Sequence, residues 1–144
     1  MILFDMEEEL RSIGKRYGII ALYAFGSRAG EVAGLVRGQL VSREHPSADL
    51  DIGVQPEPGG RLSVQEKVRL AIELEDLLGV ARVDLVILPE ADPFLALDII
   101  RGELLYCADG DLPAEYELYV LRRAGDLAYY ARERWSLILG MADP

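Results

Sequence analysis

Ala48-Asp49-Leu50-Asp51-Ile52-Gly53-Val54 alternates polar and apolar residues over seven positions, the period-two pattern of a β-strand buried on one face. Leu50, Ile52 and Val54 are expected to face a core, with Asp49, Asp51 and Gly53 on the other side. Residues two apart on a strand project from the same face with Cα atoms about 6.6 Å apart. The two carboxylates therefore reach toward one point, the geometry needed to hold a divalent cation. Mg²⁺ takes one or two protein carboxylates and completes its shell with water and phosphate oxygens, so a nucleoside triphosphate suits such a pair. Taken alone, an Asp-x-Asp in a strand is more often a solvated edge than a metal site, and the neighbouring segments decide between the two.

Downstream, Arg82-Val83-Asp84-Leu85-Val86-Ile87-Leu88 is a second β-rich run, stopped by Pro89. Val83, Leu85 and Ile87 form its apolar face and Asp84 lies opposite, so neighbouring strands would set Asp84 beside the first two acids. Three acids on one surface repel one another unless a cation is present. Upstream, Ile19-Ile20-Ala21-Leu22-Tyr23-Ala24-Phe25 is a continuous apolar run ending in Gly26-Ser27, a buried strand entering a turn. Ser27 is expected to cap a helix beginning at Arg28. A glycine and a hydroxyl at a strand-to-helix boundary supply what a phosphate needs, close backbone approach and free N–H groups. Arg28 is read either as a phosphate neutraliser or as a surface arginine paired with Glu31. Together these pieces make a two-metal phosphoryl-transfer site.

The remaining chain frames the site. Residues 3–16 read as an acidic amphipathic helix stopping between Gly14 and Gly18, and residues 30–47, with three glycines and Pro46, as a loop with at most an irregular turn. His45, the only histidine, falls there and is taken as solvated. Ser63-Val64-Gln65-Glu66 is a capping box opening a helix that Gly79 ends. Asp92-Pro93 opens another helix, ending near Gly102, and residues 104–107 form a short edge strand. Residues 112–139 are a long helical stretch whose Tyr116, Tyr119, Val120, Leu127, Tyr130 and Trp135 are read as a core-facing stripe in preference to a surface for a partner helix. Alternating helices and strands give an α/β (α+β) class around a small sheet.

Composition bounds the function. The 144 residues fit one domain, with 51% hydrophobic content for a core. With 15 Lys and Arg against 25 Asp and Glu, the net charge of −10 repels a polyanion, and no basic run with interleaved aromatics appears, so bulk nucleic acid is not an expected partner. The single Cys107 excludes an intramolecular disulfide and a thiolate cluster and is read as a small buried hydrophobe. An acidic N-terminus is unlike a secretory signal, and no apolar run approaches the ~20 residues of a membrane span. These features fit a cytoplasmic protein with no membrane contact.

Phe25-Gly26-Ser27-Arg28-Ala29, Ser47-Ala48-Asp49-Leu50-Asp51 and Val83-Asp84-Leu85-Val86 resemble, in this order, the Gly-Ser, Asp-x-Asp and third-Asp motifs of the DNA polymerase β superfamily of nucleotidyltransferases. The small size resembles its minimal, MNT-type members. The resemblance spans about residues 19–106 and implies a nucleotidyltransferase domain over 1–110, with 111–144 as a C-terminal helical extension packed on it. It further implies that Asp49 and Asp51 hold two Mg²⁺ (or Mn²⁺) ions, that Asp84 holds one of them and helps activate the acceptor hydroxyl, and that Gly26 and Ser27, with Arg28, bind the triphosphate of ATP. Two departures touch the nucleotide pocket: the gap between Gly-Ser and Asp-x-Asp is longer than the family's usual one, and Ala48 intervenes between Ser47 and Asp49. Many minimal members are antitoxins that add AMP to a tyrosine of a partner HEPN toxin, which makes that partner and reaction the expectation. The alternatives are a transferase acting on a small molecule such as an aminoglycoside, and a non-catalytic antitoxin or binding module. Homo-oligomerisation stays open.

Overall fold

In a computed structural model of the protein, residues 5–37 and 49–140 are described. The chain begins with α1 (Met6–Tyr17), whose N-cap Asp5 accepts from the Glu7 and Glu8 N–H groups and whose C-cap Gly18 takes the left-handed conformation. Strand β1 (Ile19–Phe25) follows, then α2 (Ala29–Val36), β2 (Leu50–Pro56), α3 (Val64–Leu78) and β3 (Val83–Ile87). A 3₁₀ turn (Leu88–Glu90) leads to α4 (Pro93–Ile100), β4 (Glu103–Cys107) and α5 (Leu112–Leu139). The capping box at Ser63 and Glu66 forms in both directions, and Asp92 caps α4 with Pro93 at its first position.

The four strands form one mixed sheet in the order β3-β2-β1-β4. β1 is antiparallel to β2 and β4, whereas β2 and β3 are parallel. A parallel pair requires a crossover, and α3 supplies it. One sheet face carries the larger core: Leu22 and Ala24 of β1, Leu50, Ile52 and Val54 of β2, and Val83 and Ile87 of β3 pack against α1, α2 and α3. The opposite face carries Ala21 and Tyr23, covered by Ala96 and Ile99 of α4 and Val120 of α5. Gly53 lies under Ile99, and a Cβ there would collide with the isoleucine side chain. Glycine at this position is what lets α4 lie on the strand. The alternation read from residues 49–54 therefore assigns the correct residues to each face.

Four expectations need correction. Gly30 to Val36, read as loop, is helical, because Val32, Ala33 and Val36 bury against the sheet and tertiary packing overrides the weak propensity of two glycines. The rest of that stretch, including His45, Ser47 and Ala48, lies outside the described residues. Ser27 does not cap α2: Arg28 is the N-cap, with no side-chain capping bond. Cys107 is exposed, since the edge strand β4 is covered on only one face. The aromatic stripe of α5 is not a core stripe along its length. Val120 and Ala124 are buried, but Tyr119, Leu127, Tyr130 and Trp135 are exposed, because the 28-residue helix outruns the sheet and α4. No helix among the described residues is long and apolar enough to cross a membrane.

Candidate active site

The site begins with strand register. In the parallel pair Asp51 stands directly opposite Asp84, and in the antiparallel pair Phe25 stands opposite Asp51. Asp51 therefore has the third acid on one side and, on the other, the end of β1, where the chain turns through Gly26 and Ser27. Gly26 has φ +79°, a conformation that L side chains rarely adopt. A Cβ at Gly26 would lie 2.7 Å from Asp51 Oδ2, so the glycine turn and the carboxylate are in immediate proximity. Ser27 is exposed beside it. Arg28 is 4% exposed and forms a two-pronged pair with Glu31, Nε to Oε2 and Nη2 to Oε1, each at 3.2 Å. The Glu31 pairing is thus present, in a buried rather than a surface setting.

Asp51 feels both of its neighbouring carboxylates. Burial raises the Asp51 pKa, and the negative charges of Asp84 and then Asp49 raise it further. Arg82 was assigned no role from sequence, yet its Nε lies 3.3 Å from Asp84 Oδ1 and 3.8 Å from Asp49 Oδ2. The signal for it was available in the period-two rule, since Arg82 precedes Asp84 by two residues and shares its side of the chain.

The donor set suits a hard cation. Carboxylates of adjacent strands stand side by side, one of them against a glycine turn, and a cationic side chain stands against the other two. Among the described residues no three His, Cys, Asp or Glu side chains are gathered tightly enough to enclose an ion unaided. Mg²⁺ does not require that, because substrate phosphates and waters complete its shell. Asp49, Asp51 and Asp84 are the residues that would hold it, and bound there it would neutralise phosphate charge in the transition state.

A cleft of about 860 Å³ lies elsewhere, at the C-terminal ends of β2 and β3, lined by Gln55, Arg61, Ile87, Tyr116, Tyr119 and Arg123 among others. It includes none of the three acids. Gln55 is four residues beyond Asp51, about 13 Å along the strand, so the cleft is separate from the carboxylates.

The fold has relatives of known structure. A chain in a crystal structure of a toxin–antitoxin complex with AMP-PNP is 22% identical, with a TM-score of 0.61, covering 94% of this chain and 98% of that one. A chain of a tri-AMPylated Shewanella oneidensis HEPN toxin in complex with its MNT antitoxin is 21% identical, with a TM-score of 0.57 and coverage of 95% and 97%. At these identities the likeness establishes the fold. A search of curated proteins finds no match. The family model described as "Polymerase beta, Nucleotidyltransferase" matches residues 8–111, a segment that contains the glycine turn and all three acids. The chain therefore belongs to the polymerase β nucleotidyltransferase family.

Proposed function

We propose that this nucleotidyltransferase moves AMP from ATP to a hydroxyl acceptor, a tyrosine of a HEPN-type toxin, and so acts as an antitoxin. The observation that carries the reading is the placement of Asp51 between Asp84 and the Gly26–Ser27 turn. The acceptor oxygen attacks the α-phosphorus, the bond from that phosphorus to the bridging oxygen breaks, and pyrophosphate leaves. Asp84 takes the hydroxyl proton, Gly26 and Ser27 hold the triphosphate, and Asp49 and Asp51 with Asp84 bind two Mg²⁺ or Mn²⁺ ions that supply charge neutralisation. Arg28, paired with Glu31, braces the start of α2 beside the triphosphate-binding turn. Residues 1–110 form the catalytic unit, and the helix within 111–144 is an extension.

Two neighbours support the protein acceptor: one carries AMP-PNP, and another contains a tri-AMPylated HEPN toxin bound to an MNT antitoxin. The exposed Leu127, Tyr130, Trp135, Leu137 and Ile138 of α5 form an apolar surface of the kind that marks a protein partner. The test incubates the protein with α-³²P-ATP, Mg²⁺ and a candidate HEPN protein. Label should move to a tyrosine of the partner, and Asp49→Asn or Asp51→Asn should lower transfer by roughly 10³. No transfer to any protein, with transfer to a small hydroxylated acceptor instead, would replace this reading with a small-molecule one.

A further inference from the structure

Arg82 occupies a position with two consequences for the carboxylates. Its backbone carbonyl accepts from Leu50 N–H at 3.0 Å, which anchors the residue where the β2–β3 ladder starts. Its side chain is 68% exposed, yet it lies on the carboxylates, with Nε 3.3 Å from Asp84 and 3.8 Å from Asp49. The backbone is fixed while the stem keeps free space around it, so the guanidinium can leave without disturbing the sheet. Asp51 lies outside both pairs.

We propose that Arg82 is a resident counter-ion that a divalent cation must displace, so that this side chain sets how much metal is needed to fill the site. The inference rests on the nucleotidyltransferase reading of the three acids. A guanidinium and a metal ion would compete for the same oxygens of Asp49 and Asp84, and two cations on the same carboxylates repel each other. Ion pairs this exposed are weak, so the competition tunes affinity rather than blocking binding. Arg82 is a positioning residue that acts through the carboxylates.

The test is Mn²⁺ binding to the full chain without nucleotide, followed by calorimetry and by the electron spin resonance of free Mn²⁺. Arg82→Gln should bind Mn²⁺ about three- to tenfold more tightly than wild type, the range set by two weak pairs. Arg82→Lys, which keeps the charge, should stay within about twofold of wild type on the same grounds. Arg61→Gln removes an equal charge at the opposite end of β2, beside the cleft, and should leave the affinity unchanged. Arg82→Met keeps the aliphatic stem and provides the same comparison if the amide variant fails to fold. Affinity in Arg82→Gln equal to or weaker than wild type, or a matching gain in Arg61→Gln, overturns the proposal while leaving the metal site intact. Absence of Mn²⁺ binding in wild type both without nucleotide and with a non-hydrolysable ATP analogue overturns the reading of the acids and this inference with it.

Discussion

At Gly26 one missing methyl group decides whether backbone and carboxylate fit together. The residue has φ +79°, and a Cβ would approach Asp51 Oδ2 to 2.7 Å. Alanine there faces two costs: the left-handed conformation, about 1–2 kcal/mol, and displacement of the acid proposed to bind metal. Gly26→Ala should keep the fold, with a melting temperature lower by several degrees, and lose at least about 10²-fold in kcat/KM for AMP transfer. Wild-type transfer in a folded variant would show that the close approach is incidental. Sequence singled out Gly26 for its boundary position, but the contact with Asp51 depends on the pairing of Phe25 with Asp51. Arg82 is the converse case, visible in the sequence and passed over because an arginine opening a strand has many uses. Cys107 departs from its expected burial because edge position determines its exposure and composition does not.

Among the elements, α2 and α5 depart most from expectation, in opposite directions. α2 contains Gly30 and Gly34, poor helix formers, and owes its helicity to burial of Val32, Ala33 and Val36. α5 has strong local helical character but support along only part of its length. Its first half is anchored by Val120 and Ala124 and by the Tyr23 hydroxyl, which donates to Glu117. Burial, together with that bond, raises the Tyr23 pKa and keeps the phenol protonated. Its second half carries exposed apolar side chains, Trp135 and Leu137 among them. A chain ending at Gly125 should therefore retain the folded sheet and bind Mg²⁺–ATP while losing capture of the proposed HEPN partner. Thermal unfolding and a pull-down on the purified pair check this. Collapse of the fold on truncation would mean that the distal half is structural.

For the whole molecule, stability and charge meet at the three acids. The folded state raises the Asp51 pKa, so the ionised form is less favourable folded than unfolded. The sign follows from linkage: below the ordinary aspartate range both states are protonated and there is no cost, and above the raised folded value the cost is fully present. Asp51→Asn should accordingly raise the metal-free melting temperature by a few degrees at pH 7, and this advantage should vanish as the pH falls below the ordinary aspartate value. With Mg²⁺ at a hundredfold excess over Kd, wild type gains about 2.7 kcal/mol and the variant less. Scanning fluorimetry across pH and Mg²⁺ measures both effects, and a variant that melts lower without metal yet responds fully to Mg²⁺ would mean the acids do not act together. The sequence alone determined the strands, their faces, the helices capped by Ser63 and Asp92 and which side of its strand each acid takes, because alternation and capping are local and repeat within a few residues. Tertiary structure decided which strands are neighbours, and with that the opposition of Asp51 to Asp84, the approach of Arg82 to Asp49, the burial of α2 and the exposure of distal α5. Each of these depends on contacts between residues far apart in the chain, which no local pattern encodes.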